Sequence, residues 1–377
     1  MHFSNFLLLA STVSGAAIEK RQTGNYFNHA HNAIKKLDTY YKTPTPVPWT
    51  PGWWNNAQIV TLLADLRTKD NSPFIKKYTD GDNSVLSQVL SSQARDSDGA
   101  LDYTRYFDDR LWWTISLIKT YDVTKDNKYI VAARRTFKRV AADVDFAPCG
   151  LMYNAYSDQQ YRGSSTITSG LYVEAAAMLA TRTPGLKKNY LNKARKEWNE
   201  MYPLVYKDGL IQGDGIQKEA DGSCFNNFAH LTYLDGTGMS ALVALYEATN
   251  NATYLDLADA IASNLIAQKT SEVTNGIATE YCDPAMDCAN ADIIQFKGIM
   301  QRGFYEVWRA RPTAANGAIP QYLKNNADSV WNKSRGKGGL LGSSWAGPFK
   351  RYPTADFQVA GHSSATMALV YAYLVNH

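Results

Sequence analysis

Two aspartates stand side by side in the segment Tyr103-Thr104-Arg105-Tyr106-Phe107-Asp108-Asp109-Arg110-Leu111-Trp112-Trp113. They come directly before an apolar-periodic run and have aromatic residues on both sides. A single aspartate at a helix start is ordinary, because it satisfies free backbone N–H groups and complements the helix dipole. A pair offers more. Consecutive residues at a helix start diverge by about 100°, so the two carboxyl groups can flank one bond instead of lying in parallel. That is the arrangement of general acid and nucleophile needed to break a glycosidic bond. The helix N-terminus keeps one carboxylate ionised. Like-charge repulsion and an apolar wall of Trp112 or Trp113 raise the other, so that it can donate a proton.

The rest of the chain has to hold that pair. Its 377 residues are 45% hydrophobic, 12% aromatic and 20% charged, with a mean hydropathy of −0.35. This is a globular composition and excludes a disordered or fibrous chain. The net charge of +4 and pI of about 8.6 are too small an excess, over this length, to indicate nucleic acid or a membrane surface. Nine Trp and 24 Tyr supply flat rings for a core and for a surface that stacks on sugar faces.

Helical periodicity dominates. Ile59, Leu62, Leu63 and Leu66 form one stripe, Leu111, Ile115 and Ile118 another, and Leu242, Leu245 and Tyr246 a third. Helices are predicted near 26–43, 55–68, 83–95, 108–121, 126–144, 166–182, 187–201, 233–248, 253–268, 292–309, 314–332 and 357–374. A short β-like excursion falls at 209–216. Helices pairing in chain order build either an open solenoid or a closed (α/α)6 barrel. A solenoid should carry a repeating sequence signature. None is found, so the expectation is an all-α chain folded as a single (α/α)6 barrel over 22–377.

The first 17 residues have a short apolar stretch, Phe6 to Ala10, followed by small residues, and read as a secretory signal peptide. Residues 18–21 end in Lys20-Arg21 and read as a short propeptide with a dibasic processing site. The C-terminal segment has no polar spacer followed by an apolar tail, so no lipid anchor is expected. Asn251 and Asn332 head glycosylation triplets. Four cysteines in an oxidising compartment imply two disulfides. The short turn-forming loop between Cys282 and Cys288 pairs those two, and leaves Cys149 with Cys224. The spacing lacks C-x₂-C and the six His are scattered, so neither a metal nor another cofactor is expected.

The sequence resembles glycoside hydrolase family 76, the α-1,6-mannanases, in particular the secreted fungal members. The resemblance rests on Gly52-Trp53-Trp54-Asn55-Asn56-Ala57, on Phe107 to Trp113, on Gly209-Leu210 with Asp214-Gly215, on Thr232-Tyr233 with Gly236, on Phe296-Lys297-Gly298-Ile299 with Arg302, and on Trp345-Gly347-Pro348. It implies an (α/α)6 fold and retaining, endo-acting hydrolysis of α-1,6-mannan. Asp108 is the implied nucleophile and Asp109 the general acid/base. Trp53, Trp54, Asn55, Trp112, Trp113, Tyr233, Asp235, Lys297 and Trp345 are the expected substrate-binding residues. The partner is α-mannan or a manno-oligosaccharide, and the protein is expected to act as a secreted monomer. Three departures stand out. Ser165 and Ser169 replace amides of the family pattern, Asp235 stands where an amide is usual, and Cys149-Gly150-Leu151-Met152-Tyr153 replaces a Gly-Gly-x-Trp-Trp segment. Two other outcomes stay open: transfer of the cleaved chain to a sugar acceptor in cell-wall α-mannan or galactomannan, or a catalytically drifted glycan-binding protein.

Overall fold

Helices buried on every face alternate along the chain with helices buried on one. The computed structural model describes residues 25–376 apart from 43, 51, 227, 268–272, 275, 284–287, 289–290, 314–316 and 353. The expected signal peptide and propeptide lie outside the described residues. The helices are α1 (25–38), α2 (Trp53–Arg67), α3 (Pro73–Thr79), α4 (Val85–Ser92), α5 (Phe107–Thr124), α6 (Asn127–Asp143) and α7 (Thr166–Arg182). They continue with α8 (Lys187–Val205), α9 (Thr232–Thr249), α10 (Ala252–Ala267), α11 (Ala291–Ala310), α12 (Ala318–Lys333) and α13 (Ala355–Leu374).

Six of these form an inner ring. α2 packs on α5, α5 on α7, α7 on α9, α9 on α11 and α11 on α13, and α13 returns to α2. The chain is thus a closed (α/α)6 barrel. In α13 every residue from Gln358 to Leu374 is buried, and in α9 every residue from Thr232 to Leu245. Such helices have no wet face and belong inside a protein. The outer helices show the opposite pattern. α6 buries Tyr129, Ile130, Ala132, Ala133, Thr136, Phe137 and Val140, a single stripe, and α8 does the same with Tyr190, Ala194, Trp198, Met201 and Val205. The helices expected from the sequence do not include the seven-residue α3, which begins at Pro73, a residue suited to a first helical turn.

The inner ring closes through small residues. A Cβ on Gly236 of α9 would lie 2.6 Å from the Ile299 carbonyl oxygen, and one on Gly303 of α11 would lie 2.5 Å from that of Gly236. A Cβ on Gly298 would meet the Ser364 Cα of α13 at 3.1 Å. α11 therefore lies backbone against backbone with its neighbour α9 and close to α13.

Three short antiparallel hairpins decorate the barrel: β1 (Tyr206–Lys207) with β2 (Leu210–Ile211), β3 (Ile216–Lys218) with β4 (Cys224–Asn226), and β5 (Val273–Thr274) with β6 (Ile277–Ala278). The first two fall around the β-like excursion expected from the sequence. Both expected disulfides, Cys149–Cys224 and Cys282–Cys288, are formed. Asn251 and Asn332 are exposed. His362 is a core residue: its ring accepts from the Leu341 N–H through Nδ1 at 3.0 Å and bonds the Ala33 carbonyl through Nε2 at 2.9 Å. Among the described residues no helix is long and apolar enough to cross a membrane.

At the C-terminal ends of the inner helices lies a polar cavity of about 220 Å³. Lys119 pairs there with Asp65 at 2.8 Å and Glu306 at 2.5 Å, and Arg309 joins Glu306 to Glu247. Arg302 makes a two-pronged pair with Glu174, both bonds 2.9 Å. Cations suit this end, where helix dipoles are negative.

The close approach of α9 and α11 is testable by thermal unfolding. Gly303→Ala should destabilise by about 3 kcal/mol or more, because backbone atoms on both sides cannot give way. Gly185→Ala, where a Cβ meets nothing within 4 Å, should shift stability by no more than about 0.5 kcal/mol.

Candidate active site

The opposite end of the ring carries a cleft of about 460 Å³. Its wall comes from the first turns of five inner helices: Trp53 and Trp54 of α2, Asp108, Asp109 and Trp112 of α5, Ile167 of α7, Tyr233 of α9, and Asp292 and Phe296 of α11. The lead-in to α5 adds Tyr103, Thr104 and Tyr106, and the loop before α7 adds Asn154.

The lead-in is held by its own side chains. Buried Arg110 donates twice to the Thr104 carbonyl, at 3.1 and 2.9 Å, and pairs with Asp102. The Phe107 N–H donates to the Asn154 carbonyl at 2.6 Å. Trp53 donates to Gln93 at 2.7 Å, and its own carbonyl accepts from Trp113 at 3.1 Å. Tyr103 stacks on Trp53 at 5.5 Å, Trp112 on Trp54 at 5.9 Å, and Tyr233 on Phe296 at 3.8 Å with planes 3° apart. The result is a wall of flat faces with their polar edges tied down.

The two central carboxyls differ in surroundings. Asp108 accepts the backbone N–H of Asp109 at 3.0 Å, one of the donors that a helix start leaves free. Burial raises its pKa to about 7, with Asp214 and Asp292 adding to the rise and the Asp109 N–H opposing it. Asp109 is raised well above the usual carboxylate range, by burial first and then by the charges of Asp108 and Asp292, against the pull of the Thr104 hydroxyl and Arg110. The pair thus releases its first proton from Asp108 and keeps the second on Asp109.

Two further carboxyls complete the set, and sequence reading gave neither a role. Asp292 accepts the Trp54 indole N–H at 2.7 Å, and Asp214 accepts the Tyr233 hydroxyl at 2.6 Å. Both are raised by burial. Asp292 begins a predicted helix, and its signal was its place four residues before Phe296. Tyr103, Thr104 and Tyr106 were visible only as part of the aspartate segment, and Asn154 gave no sequence signal.

Of the expected substrate-binding residues, Trp53, Trp54, Trp112 and Tyr233 line the cleft. Five others do not, and their placement corrects the sequence reading. Asn55 is buried and donates to Gln295 between α2 and α11 at 2.5 Å. Trp113 turns away from the cleft and buttresses Trp53. Lys297 is fully buried and paired with Asp283 at 2.6 Å, inside the Cys282–Cys288 loop. Trp345 is fully buried, with the Lys297 ammonium 5.6 Å from its ring. Asp235 is fully buried, accepting the Ile211 N–H at 2.9 Å and pairing with His230. Arg302, one of the residues that carry the family resemblance, is likewise buried against Glu174. Ser165 caps α7 through the Thr168 N–H, and Ser169 accepts the Met152 N–H at 3.1 Å. None of the replaced positions 165, 169 and 235, nor the 149–153 segment, lines the cleft. Among the described residues no group of three or more His, Cys, Asp or Glu is placed to hold a metal ion.

A closed helical barrel whose aromatic cleft presents paired carboxyls defines an (α/α)6 glycoside hydrolase. The chain belongs to glycosyl hydrolase family 76, which it matches over residues 14–376. No curated protein sequence matches it. Among solved structures, it is similar to an inactive variant of the α-1,6-mannanase of a Salegentibacter species in complex with an α-1,6-mannotetraose. That likeness has 20% identity, covers 93% of this chain and 99% of that one, and has a TM-score of 0.74. The α-mannanase of Bacteroides thetaiotaomicron gives 16% identity, 95% and 100% coverage and a TM-score of 0.72. Dfg5 from Chaetomium thermophilum, in complex with glucosamine, gives 18% identity, 92% and 89% coverage and a TM-score of 0.76.

Two measurements check the electrostatics. Asp292→Asn removes a negative charge that raises both central carboxyls, so both limbs of the kcat/KM pH profile should move to lower pH by about half a unit to one unit. Asp108→Asn tests the cost of holding the carboxyl. With its folded pKa raised, Asp108 binds its proton more tightly in the fold than in the unfolded chain, so its contribution to stability is lost as pH rises from about 4 to about 7. The variant should be more stable than wild type at pH 8, on the order of 2 kcal/mol after allowance for cleft water, and equal to it near pH 3.

Proposed function

We propose that the protein is a secreted, endo-acting hydrolase of α-1,6-mannosidic bonds in mannan, working by double displacement. The observation that carries this reading is the Asp108–Asp109 pair at the start of α5, with its ordered protonation, in a cleft walled by aromatic rings. The neighbours support the substrate class. The Salegentibacter α-1,6-mannanase holds α-1,6-manno-oligosaccharides in variants inactivated at two consecutive aspartates.

In the first step, the Asp109 carboxylic acid gives its proton to the glycosidic oxygen while the Asp108 carboxylate attacks C1. The C1–O bond to the leaving sugar breaks, the leaving sugar departs as an alcohol, and a mannosyl ester forms on Asp108. In the second step the Asp109 carboxylate takes a proton from water, and the resulting nucleophile attacks C1. Asp108 is released as a carboxylate, Asp109 is again an acid, and the product keeps its anomeric configuration. The raised pKa of Asp109 suits it to donate, and the N–H bond to Asp108 suits that group to be ionised. The aromatic wall stacks on the apolar faces of sugar rings.

Transfer to a sugar acceptor in place of water uses the same two carboxylates. The likeness to Dfg5, whose structure holds glucosamine, keeps it as the second reading.

Wild type and Asp108→Asn on linear α-1,6-mannan separate these outcomes, with products followed by mass and anomeric configuration. Hydrolysis predicts short retained-anomer oligosaccharides from wild type, with activity at least about 10³-fold lower in the variant. With excess acceptor, products longer than the starting oligosaccharide would establish transfer. Release of mannose alone from chain ends would exclude endo action. No product from wild type across several mannans would overturn the reading.

A further inference from the structure

The outer surface between α6 and α8 holds a third cavity, away from the cleft. This groove of about 610 Å³ is lined by Arg134, Arg135, Lys138 and Lys193, over a floor formed by Phe137 and Tyr190, whose rings are 5.6 Å apart. Two of the large apolar residues exposed on the described surface, Val131 at 39% and Leu186 at 42%, also line it.

What sets the groove apart is that four cations line one concavity without counter-charge. Some exposed cations elsewhere are matched, Lys77 by Asp38, Arg105 by Asp158 and Arg311 by Asp256 and Asp259, and others such as Lys69, Lys76 and Lys350 stand on open surface. None of the four groove cations has an acidic partner within 4 Å among the described residues, and the Arg134 Nε is buried without an acceptor. Of the nearby acids, Asp143 of α6 is taken by Arg139, and Glu197 of α8 is buried beneath the surface. Arg135 also stands close enough to Arg95 to add to the lowering of that group's pKa, which burial begins. Like charges are gathered here at a cost that an ordinary solvated helix face avoids by interleaving acids.

We propose that the α6–α8 groove binds a polyanionic glycan, a sugar chain bearing phosphate, sulfate or carboxylate groups. The guanidinium and ammonium groups supply paired and point-like contacts to the anions. The apolar residues supply flat surface for the sugar rings between them. A membrane surface fits less well: the cations line the walls of a concavity, whereas a bilayer needs an apolar face that projects beyond its cations. The groove lies on outer helices, so binding there is independent of the chemistry in the cleft. It would hold the enzyme on a charged matrix.

The test uses the full mature chain, with dextran sulfate, phosphorylated dextran, polygalacturonate and neutral dextran as probes, and binding read by calorimetry. The groove variant is Arg135→Glu with Lys138→Glu and Lys193→Glu. A control with the same change in net charge is Lys69→Glu with Lys76→Glu and Lys350→Glu, at exposed positions elsewhere. Wild type and control should bind at least one acidic dextran or polygalacturonate and ignore neutral dextran. The groove variant should lose tenfold or more of that affinity, with an unchanged thermal transition. Four released counterions should weaken wild-type binding by about tenfold or more between about 50 and 200 mM salt. The preferred polymer then assigns phosphate, sulfate or carboxylate. Should the reversed triple fail to fold, Arg135→Gln with Lys138→Gln and Lys193→Gln gives the same comparison. Equal losses in groove and control variants, binding to anionic phospholipid vesicles with none to the polysaccharides, or no binding by wild type would each overturn the proposal.

Discussion

A helix buried on every side can close a ring only where its neighbours let the backbones meet. Gly236 and Gly303 provide that meeting between α9 and α11, and Gly298 provides it beside Ser364 of α13. Everything functional follows from the closure. Each outer helix returns the chain to the same end, so the inner helices run parallel and gather their N-termini around one opening. Free N–H groups and positive dipole ends collect there. An acidic site at that opening is therefore favoured by the topology, whereas at the opposite end Lys119, Arg302 and Arg309 are matched by Asp65, Glu174, Glu247 and Glu306.

The opening sets two forces against each other. Helix N-termini favour ionised carboxyls, whereas burial among Trp53, Trp54, Trp112 and Tyr233 favours neutral ones. Asp108 and Asp109 are adjacent in sequence, yet the balance falls differently on each. Asp108 receives a backbone N–H; Asp109 has that neighbouring charge to contend with. Asp214 and Asp292, each tied to an aromatic hydroxyl or indole N–H, raise the whole scale. Three carboxyls in the cleft, Asp108, Asp109 and Asp292, with Asp214 behind Tyr233, are thus a graded set, with the most reluctant acid kept protonated.

The sequence made the barrel legible because apolar stripes at helical spacing follow one another in chain order with no repeating signature; which helices are buried on every face needed the tertiary structure. The aspartate pair was legible because no structural role needs two. What sequence could not convey was direction. Trp112 and Trp113 are as adjacent as the aspartates, and the same turn of about 100° sends one into the cleft and the other beneath Trp53. Lys297 and Asp235 were expected at the site, and Arg302 stands in the same matched segment as Lys297, but a buried charge in an apolar run has structural reasons of its own. Here those are Asp283, His230 and Glu174 in turn, and the Arg302–Glu174 pair spans 128 positions of sequence. Several residues that carry the family resemblance, Gly236 and Gly298 among them, are closure residues, so the motif marks the frame as much as the chemistry.

The Cys149–Cys224 bond encloses a stretch of chain that includes Asn154, Asp214 and the whole of α7. Its two ends reach different parts of the rim: one lies in the segment that supports the lead-in to α5 through Asn154, the other in the hairpin of β3 and β4. This has a topological consequence. A single cut in any surface turn between those cysteines opens the backbone but leaves both fragments covalently joined. The nicked chain stays one molecule until the disulfide itself is reduced.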